Sequence, residues 1–224
     1  LLKINGTALI NHVYNKAVEA NIGDVYVVTG DKKIFNTVIK NGGRCILTKK
    51  KHNTGTDRIF EGFQKIKRKK YKYVLNLQGD EPLISIKDIK NLVNRINLKR
   101  IEIVTLASKI QNKIEIKNKN IVKVSTNNKL LDNNTSRAKK FYRVTKKIIK
   151  NSYHHVGIYL YKANILKKFI LLKQTKNELK HNLEQLRAMD NNISIHVVLA
   201  KNKPIGIDTI KDFNKVKKIM EIKN

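Results

Sequence analysis

The stretch YVLNLQGDEPLI, residues 73–84, decides how the rest of the chain is read. Tyr73-Val74-Leu75-Asn76-Leu77 has the short, apolar, β-rich character of a buried strand. It stops at Gln78-Gly79-Asp80-Glu81-Pro82. Glycine and proline punctuate there, so an amide and two carboxylates stand where the strand should surface. A carboxylate at that place, beside a glycine that lets a ligand approach the backbone, can hold a Mg²⁺ that also grips phosphates. Taken alone, Asp80 and Glu81 serve equally well as caps of the turn or helix that follows.

Upstream, Asn5-Gly6 signals a turn, and Leu9, Ile10, Val13, Tyr14, Ala17 and Val18 recur at helical spacing as far as Ala20. Val25–Thr29 and Arg44–Leu47 read as strands, and 33–40 and 56–69 as helices. Downstream, 86–96 is helical and 102–107 a strand. Strands of about five residues alternating with helices of about twelve predict an α/β fold with a mainly parallel sheet. In such sheets ligands sit beyond the carboxyl ends of the strands. The second half predicts strands at 121–124, 155–161 and 194–200, a turn at 132–135, and helices at 165–172, 178–189 and 210–222. One domain over 1–224 with a β-rich insertion around 107–160 is the expected organisation.

The chain has 224 residues and 41% hydrophobic content, enough for a sizeable core. Its net charge is +31. Forty lysines against eight arginines, spread along the chain, look like compositional drift and not like a nucleic-acid surface. No apolar run reaches the roughly eighteen residues of a membrane span. Cys45 is the single cysteine, followed by Ile46 and Leu47, which excludes an intrachain disulfide and suits a buried structural thiol. The chain opens on Leu1, and Leu1-Leu2-Lys3-Ile4-Asn5-Gly6 reads like the middle of a longer sequence.

Other polar groups await a role. Asp208 follows Ile205 and Ile207 and begins a helix, so it is either an N-cap or a second metal-holding acid. Thr54-Gly55-Thr56 opens a helix whose N-terminal N–H groups suit an anion or a base edge, or is a plain helix start. His155 and Tyr159 fall on one face of a strand with Gly157 between them. Glu184 and Gln185 lie on a helix, by themselves a solvated face.

Taken together, KING (3–6), NTGTDR (53–58), NLQGDEPLI (76–84), VTLA (104–107), VKV (122–124), SRA (136–138), HHVGIY (154–159), LEQLR (183–187) and GIDT (206–209) resemble the 3-deoxy-manno-octulosonate (Kdo) cytidylyltransferases over essentially the whole chain. The resemblance implies a Rossmann-like nucleotidyltransferase domain with a smaller β-rich portion that builds a homodimer. It implies an enzyme joining Kdo to CTP with Mg²⁺ and releasing pyrophosphate, in the bacterial cytoplasm, for lipopolysaccharide synthesis. Carried over by motif, Asp80 and Asp208 would hold the magnesium. Thr54, Gly55, Thr56, Arg58 and Gln78 would meet the nucleotide. Arg137, His155, Tyr159, Glu184 and Gln185 would line the sugar site.

There are departures. The family opens with a strand and an Arg- and Lys-rich phosphate loop that would precede Leu1, so the chain is expected to be inactive without that segment. Lys139-Lys140-Phe141-Tyr142 stands where prolines are usual, His154 where a basic residue is usual, and Thr29-Gly30 where a Thr-Asp pair is usual. A cytidylyltransferase for another acidic sugar, or an inactive basic binding relative, are the alternatives.

Overall fold

Asn5 and Gly6 hold positive φ, 49° and 75°, and turn β1 (Lys3–Ile4) back onto β2 (Thr7–Ala8). Asparagine and glycine reach this left-handed backbone most easily. The computed structural model describes residues 1–66, 71–98, 101–145 and 149–222. After β2 come α1 (Leu9–Glu19), β3 (Val27–Thr29), α2 (Lys32–Lys40), β4 (Cys45–Leu47) and α3 (Gly55–Lys65), each where the sequence pattern predicts it. The predicted continuation of α3 to Lys69 lies, from residue 67 on, outside the described residues. β5 (Tyr73–Asn76), α4 (Ile86–Ile96) and β6 (Ile103–Ser108) follow, then α5 (Lys113–Lys117), β7 (Lys123–Thr126), β8 (Thr135–Tyr142) and β9 (Ser152–Lys162). The chain continues through α6 (Ala163–Leu171), α7 (Lys176–His181), α8 (Gln185–Asp190), β10 (Ile195–Leu199) and α9 (Ile210–Ile222).

The chain divides into two compact units, one of residues 1–69, 77–90 and 204–224, the other of 70–76 and 91–203. In the first, β3 and β4 run parallel, Val27 opposite Cys45. The closing helix buries Phe213 and Val216 against Ile4, with Leu9, Leu83, Ile205, Ile207 and Met220 packed around them. Removing this apolar surface from water is what seats a helix otherwise rich in lysine.

The second unit is a six-stranded sheet in the order β5-β9-β6-β10-β8-β7, and β7 pairs back onto β9. Strands β9, β6, β10, β8 and β7 therefore close a ring. The mainly parallel sheet expected from the sequence is corrected here. Within the ring only β10 and β6 run parallel; β9 lies antiparallel between β5 and β6, and β8 antiparallel beside β10. The crossover from β5 through α4 skips one position, and the long return strand β9 fills it. Every residue of β6 is buried, as suits a strand covered on both faces.

Two further differences have local causes. The sequence pattern predicts no strand over 135–142, yet β8 forms there. Its pairing with β7 shifts between Ser125 and Thr126, which leaves Lys139 as an extra residue and puts Lys139 and Lys140 both outward. A bulge of this kind hides the two-residue alternation. The single helix expected over 178–189 is two helices, because Asn182 caps α7 in the left-handed region (φ 51°, ψ 51°). Arg187 returns across this break to Glu178 through paired hydrogen bonds of 2.8 and 2.5 Å, and lies over the Phe169 ring at 4.8 Å.

Candidate active site

The turn after β5 is built by backbone bonds. Glu81 N–H donates to Gln78 O (3.3 Å) and Ile84 N–H to Glu81 O (3.2 Å). Ile207 N–H donates to Asp80 O (3.0 Å), which draws the 205–208 segment against this turn. At Gly206 an added Cβ would stand 3.0 Å from Glu81 Oε1, so the glycine lets that carboxyl lie against the backbone. The two aspartates singled out in the sequence are thereby brought into one site, with Glu81 beside them.

The capping alternatives open in the sequence do not describe these acids. Helix α4 starts its first turn on Ser85, whose carbonyl accepts from Asp88 and Ile89 N–H (3.0 and 3.1 Å). Thr209 caps α9: it accepts from Asp212 N–H (3.2 Å), and Asp212 Oδ2 accepts in return from Thr209 N–H and Oγ1 (3.0 and 2.6 Å). Asp208 stands one residue outside that reciprocal pair, and exposed.

Asp80 and Glu81 both hold protons more tightly than an ordinary carboxylate. Burial pushes the Asp80 carboxyl above the ordinary range, and the charge of Asp208 adds to it. Burial, then Asp80, then Asp208 push Glu81 up to about 8. Glu81 Oε2 is buried without a hydrogen bond. Among the described residues no three or more His, Cys, Asp or Glu side chains form a complete metal cage. Asp80 and Asp208 offer two carboxylates, a donor set that fits a Mg²⁺ taking its other ligands from water and phosphate.

The Thr54–Thr56 turn is a helix N-terminus. Thr54 Oγ1 accepts from Asp57 N–H (3.2 Å) and Asp57 Oδ2 from Thr54 N–H (3.0 Å), a capping box that opens α3 at Gly55. Thr56 is buried and Gly55 has open space around its Cα. Arg58 turns its guanidinium onto the preceding loop, to Thr48 Oγ1 (3.1 Å), Lys49 O (3.3 Å) and Lys50 O (3.3 Å). Gln78 is half-buried beside the acid turn.

In the second unit, β9 carries His155 and Tyr159, whose rings are 5.4 Å apart; Phe141 stands edge-on to His155 at 5.1 Å. The pairing of β9 with β6 slips after Thr105: Thr105 faces Tyr159, but Leu106 faces Val156. Sequence reasoning missed the residue that fills this irregularity. Thr105 is fully buried; its hydroxyl lies 2.7 Å from Ile158 O, 3.2 Å from Val156 O and 3.0 Å from His155 Nε2. Because the hydroxyl donates to a carbonyl, its oxygen accepts from His155, which puts the ring proton on Nε2 and leaves Nδ1 as an acceptor. The available signal was a lone threonine inside the apolar IVTLA run.

Burial, helped by neighbouring His154, holds His155 down to about 3, so its ring is neutral at physiological pH. The Tyr159 oxygen is buried without a hydrogen bond, and burial with the charges of Tyr161 and Glu184 pushes its phenol well up. Glu184 stands at the start of α8, next to Gln185, and both are half-buried. His155, Tyr159 and Glu184 thus belong to one neighbourhood. Arg137 is met at another point of the ring, on β8 opposite His196, where it is exposed.

A family model described as Cytidylyltransferase matches residues 1–195. The chain is 36% identical over 222 residues to the 3-deoxy-manno-octulosonate cytidylyltransferase of Bartonella henselae, covering 98% of this chain and 90% of the relative. It is 38% identical over 223 residues to that of Thermodesulfovibrio yellowstonii, covering 95% and 88%. A solved structure of CMP:2-keto-3-deoxy-manno-octonic acid synthetase complexed with CTP superposes with a TM-score of 0.89 at 31% identity, over 100% of this chain and 92% of that one. The fold is therefore that of an α/β nucleotidyltransferase, and the chain belongs to the 3-deoxy-manno-octulosonate cytidylyltransferase family.

Proposed function

We propose that this chain transfers the cytidylyl group of CTP to Kdo, releasing pyrophosphate and giving CMP-Kdo for lipopolysaccharide synthesis. The observation that carries the reading is the pairing of Asp80 with Asp208, two acids left uncompensated while other residues cap the nearby helices. The relatives share one activity name, which favours Kdo over another acidic sugar and an enzyme over an inactive binding protein.

The sugar's anomeric oxygen attacks the α-phosphorus in line; an O–P bond forms as the bond to pyrophosphate breaks, and the hydroxyl proton leaves. Little covalent help is needed, so positioning and charge carry the catalysis. Mg²⁺, held by Asp80 and Asp208, would neutralise phosphate charge. Gln78, the Thr54–Thr56 turn and Arg58 would bind the nucleotide. Neutral His155 offers Nδ1 to a sugar hydroxyl, and Tyr159 an unused O–H. Glu184, Gln185 and Arg137 would complete the sugar's contacts, Arg137 as its cation. The β-rich portion would join two copies as a homodimer, and the enzyme would work in the bacterial cytoplasm. The first domain would be Rossmann-like.

The test is pyrophosphate release by the full-length protein from CTP, Kdo and Mg²⁺. Release that requires all three is expected; none at any Mg²⁺ concentration would sink the reading.

A further inference from the structure

Helix α3 presents Arg58, Glu61 and Lys65 at the spacing of three and four residues that lines one helix face. Arg58 and Glu61 reach back to the loop between β4 and α3, and Lys65 to the last residue of β4. Glu61 sits at the centre. Its two oxygens accept from Lys49 N–H (3.1 and 3.2 Å), Oε2 meets His52 Nε2 at 2.8 Å, and Oε1 meets Lys65 Nζ at 2.8 Å. Lys65 also donates to Leu47 O (2.8 Å). Beside this, Arg58 holds the carbonyls of Lys49 and Lys50. A Cβ on Gly30 would stand 2.5 Å from the Arg58 guanidinium and 2.7 Å from Lys49 O, so the end of β3 is pressed against both.

An isolated i,i+4 ion pair at a surface contributes little. Glu61 is different in kind, because one carboxylate gathers a backbone N–H, an imidazole and an ammonium from three points along 49–65. Its side chain is 18% exposed and that of His52 11%. The loop it gathers leads directly into the Thr54 cap.

We propose that Glu61 is a positioning residue for the nucleotide: it fixes loop 48–52, and through it Arg58 and the Thr54–Thr56 turn, without touching substrate. This rests on the nucleotide role given above to Thr54–Arg58. Glu61→Gln keeps the shape and removes the charge. With charged hydrogen bonds lost, the KM for CTP rises about tenfold. The kcat and the KM for Kdo stay as in the wild type. His52→Gln, which removes one arm alone, shifts the CTP KM in the same direction by less. It also serves if Glu61→Gln does not fold.

An unchanged CTP KM, or a fall in kcat with both KM values rising together, overturns the proposal. Hydrogen exchange over residues 48–53 should quicken in Glu61→Gln; exchange as slow as in the wild type overturns it too. CTP affinity by calorimetry keeps the two readings apart. No pyrophosphate from any variant refutes the reaction, whereas equal CTP affinity of wild type and Glu61→Gln refutes the clasp.

Discussion

The acid turn and the buried His155–Tyr159 cluster on β9 treat their polar groups by opposite means. At Asp80, Glu81 and Asp208 three acids are crowded together, and burial with the neighbouring acids makes Asp80 and Glu81 hold protons more tightly than usual. At His155, Thr105 and Tyr159, burial removes charge: the imidazole is neutral, and the phenol keeps its proton. The first arrangement attracts a cation. The second offers directional hydrogen bonds without electrostatic bias, as suits hydroxyls of a sugar. On the function proposed above, one chain would separate the work of neutralising phosphate from the work of recognising an alcohol.

The contrast can be broken at its strongest point first. Asp80→Asn should lower kcat by roughly a hundredfold or more, since charge stabilisation of this type is worth that much. The same variant should melt no lower than the wild type at pH 7. The sign follows from the raised carboxyl: a group whose folded pKa lies above its unfolded value stabilises only at lower pH, and ionised Asp80 opposes folding once pH rises through that value. Full activity in Asp80→Asn would remove the metal role. A large loss of stability would make Asp80 structural.

The second test concerns charge in the buried cluster on β9. The unfolded histidine protonates near its ordinary value, the folded one only near 3. Stability is therefore intact above about pH 6.5 and falls as pH drops toward 3, by about 1.4 kcal/mol per unit for this one group. Urea unfolding at pH 7, 6, 5 and 4 measures the slope. His154 and His196 are also held low by burial and add to it. His155→Gln should remove part of the slope, and an identical slope would show that the ring is not buried neutral.

Tyr159→Phe sharpens the comparison. Losing a buried hydroxyl without a partner should leave stability equal or raise it by about 1 kcal/mol. The KM for Kdo should rise about tenfold, as for one lost hydrogen bond with its partner left unmet. Lower stability with an unchanged KM would mean that the hydroxyl serves the fold. Gly206→Ala should have the smallest effect. Its Cβ would crowd the Glu81 carboxyl at 3.0 Å, and a shift of a few tenths of an ångström should reduce activity by roughly threefold, with KM for Kdo unaffected.

Much of this was legible in the sequence because the signals are local. Apolar periodicity located α1 to α4 and the short strands, and Gly79 with Pro82 marked the turn that presents Asp80. What failed was non-local. Nothing in HHVGIYLY says that its strand enters between β5 and β6 and reverses the sheet's sense. The bulge at Lys139 erased the alternation of β8. The pairing of Asp80 with Asp208 could be suspected, but the Thr209–Asp212 cap that leaves Asp208 aside is a matter of one residue's offset. Thr105 was passed over because a threonine in a strand is ordinary until a slipped register needs its hydroxyl.

The order of strands around the ring has a consequence for synthesis on the ribosome. β6 is buried at every residue, yet both its neighbours, β9 and β10, are encoded after it. As the chain emerges, this fully buried strand waits with two open edges, a state that invites association with other chains. β9 must then align with β5, β6 and β7 together, and β10 is the last piece to enter. Stalled or truncated chains ending before Leu199 would carry that open seam, which makes them natural clients for chaperones that shield strand edges.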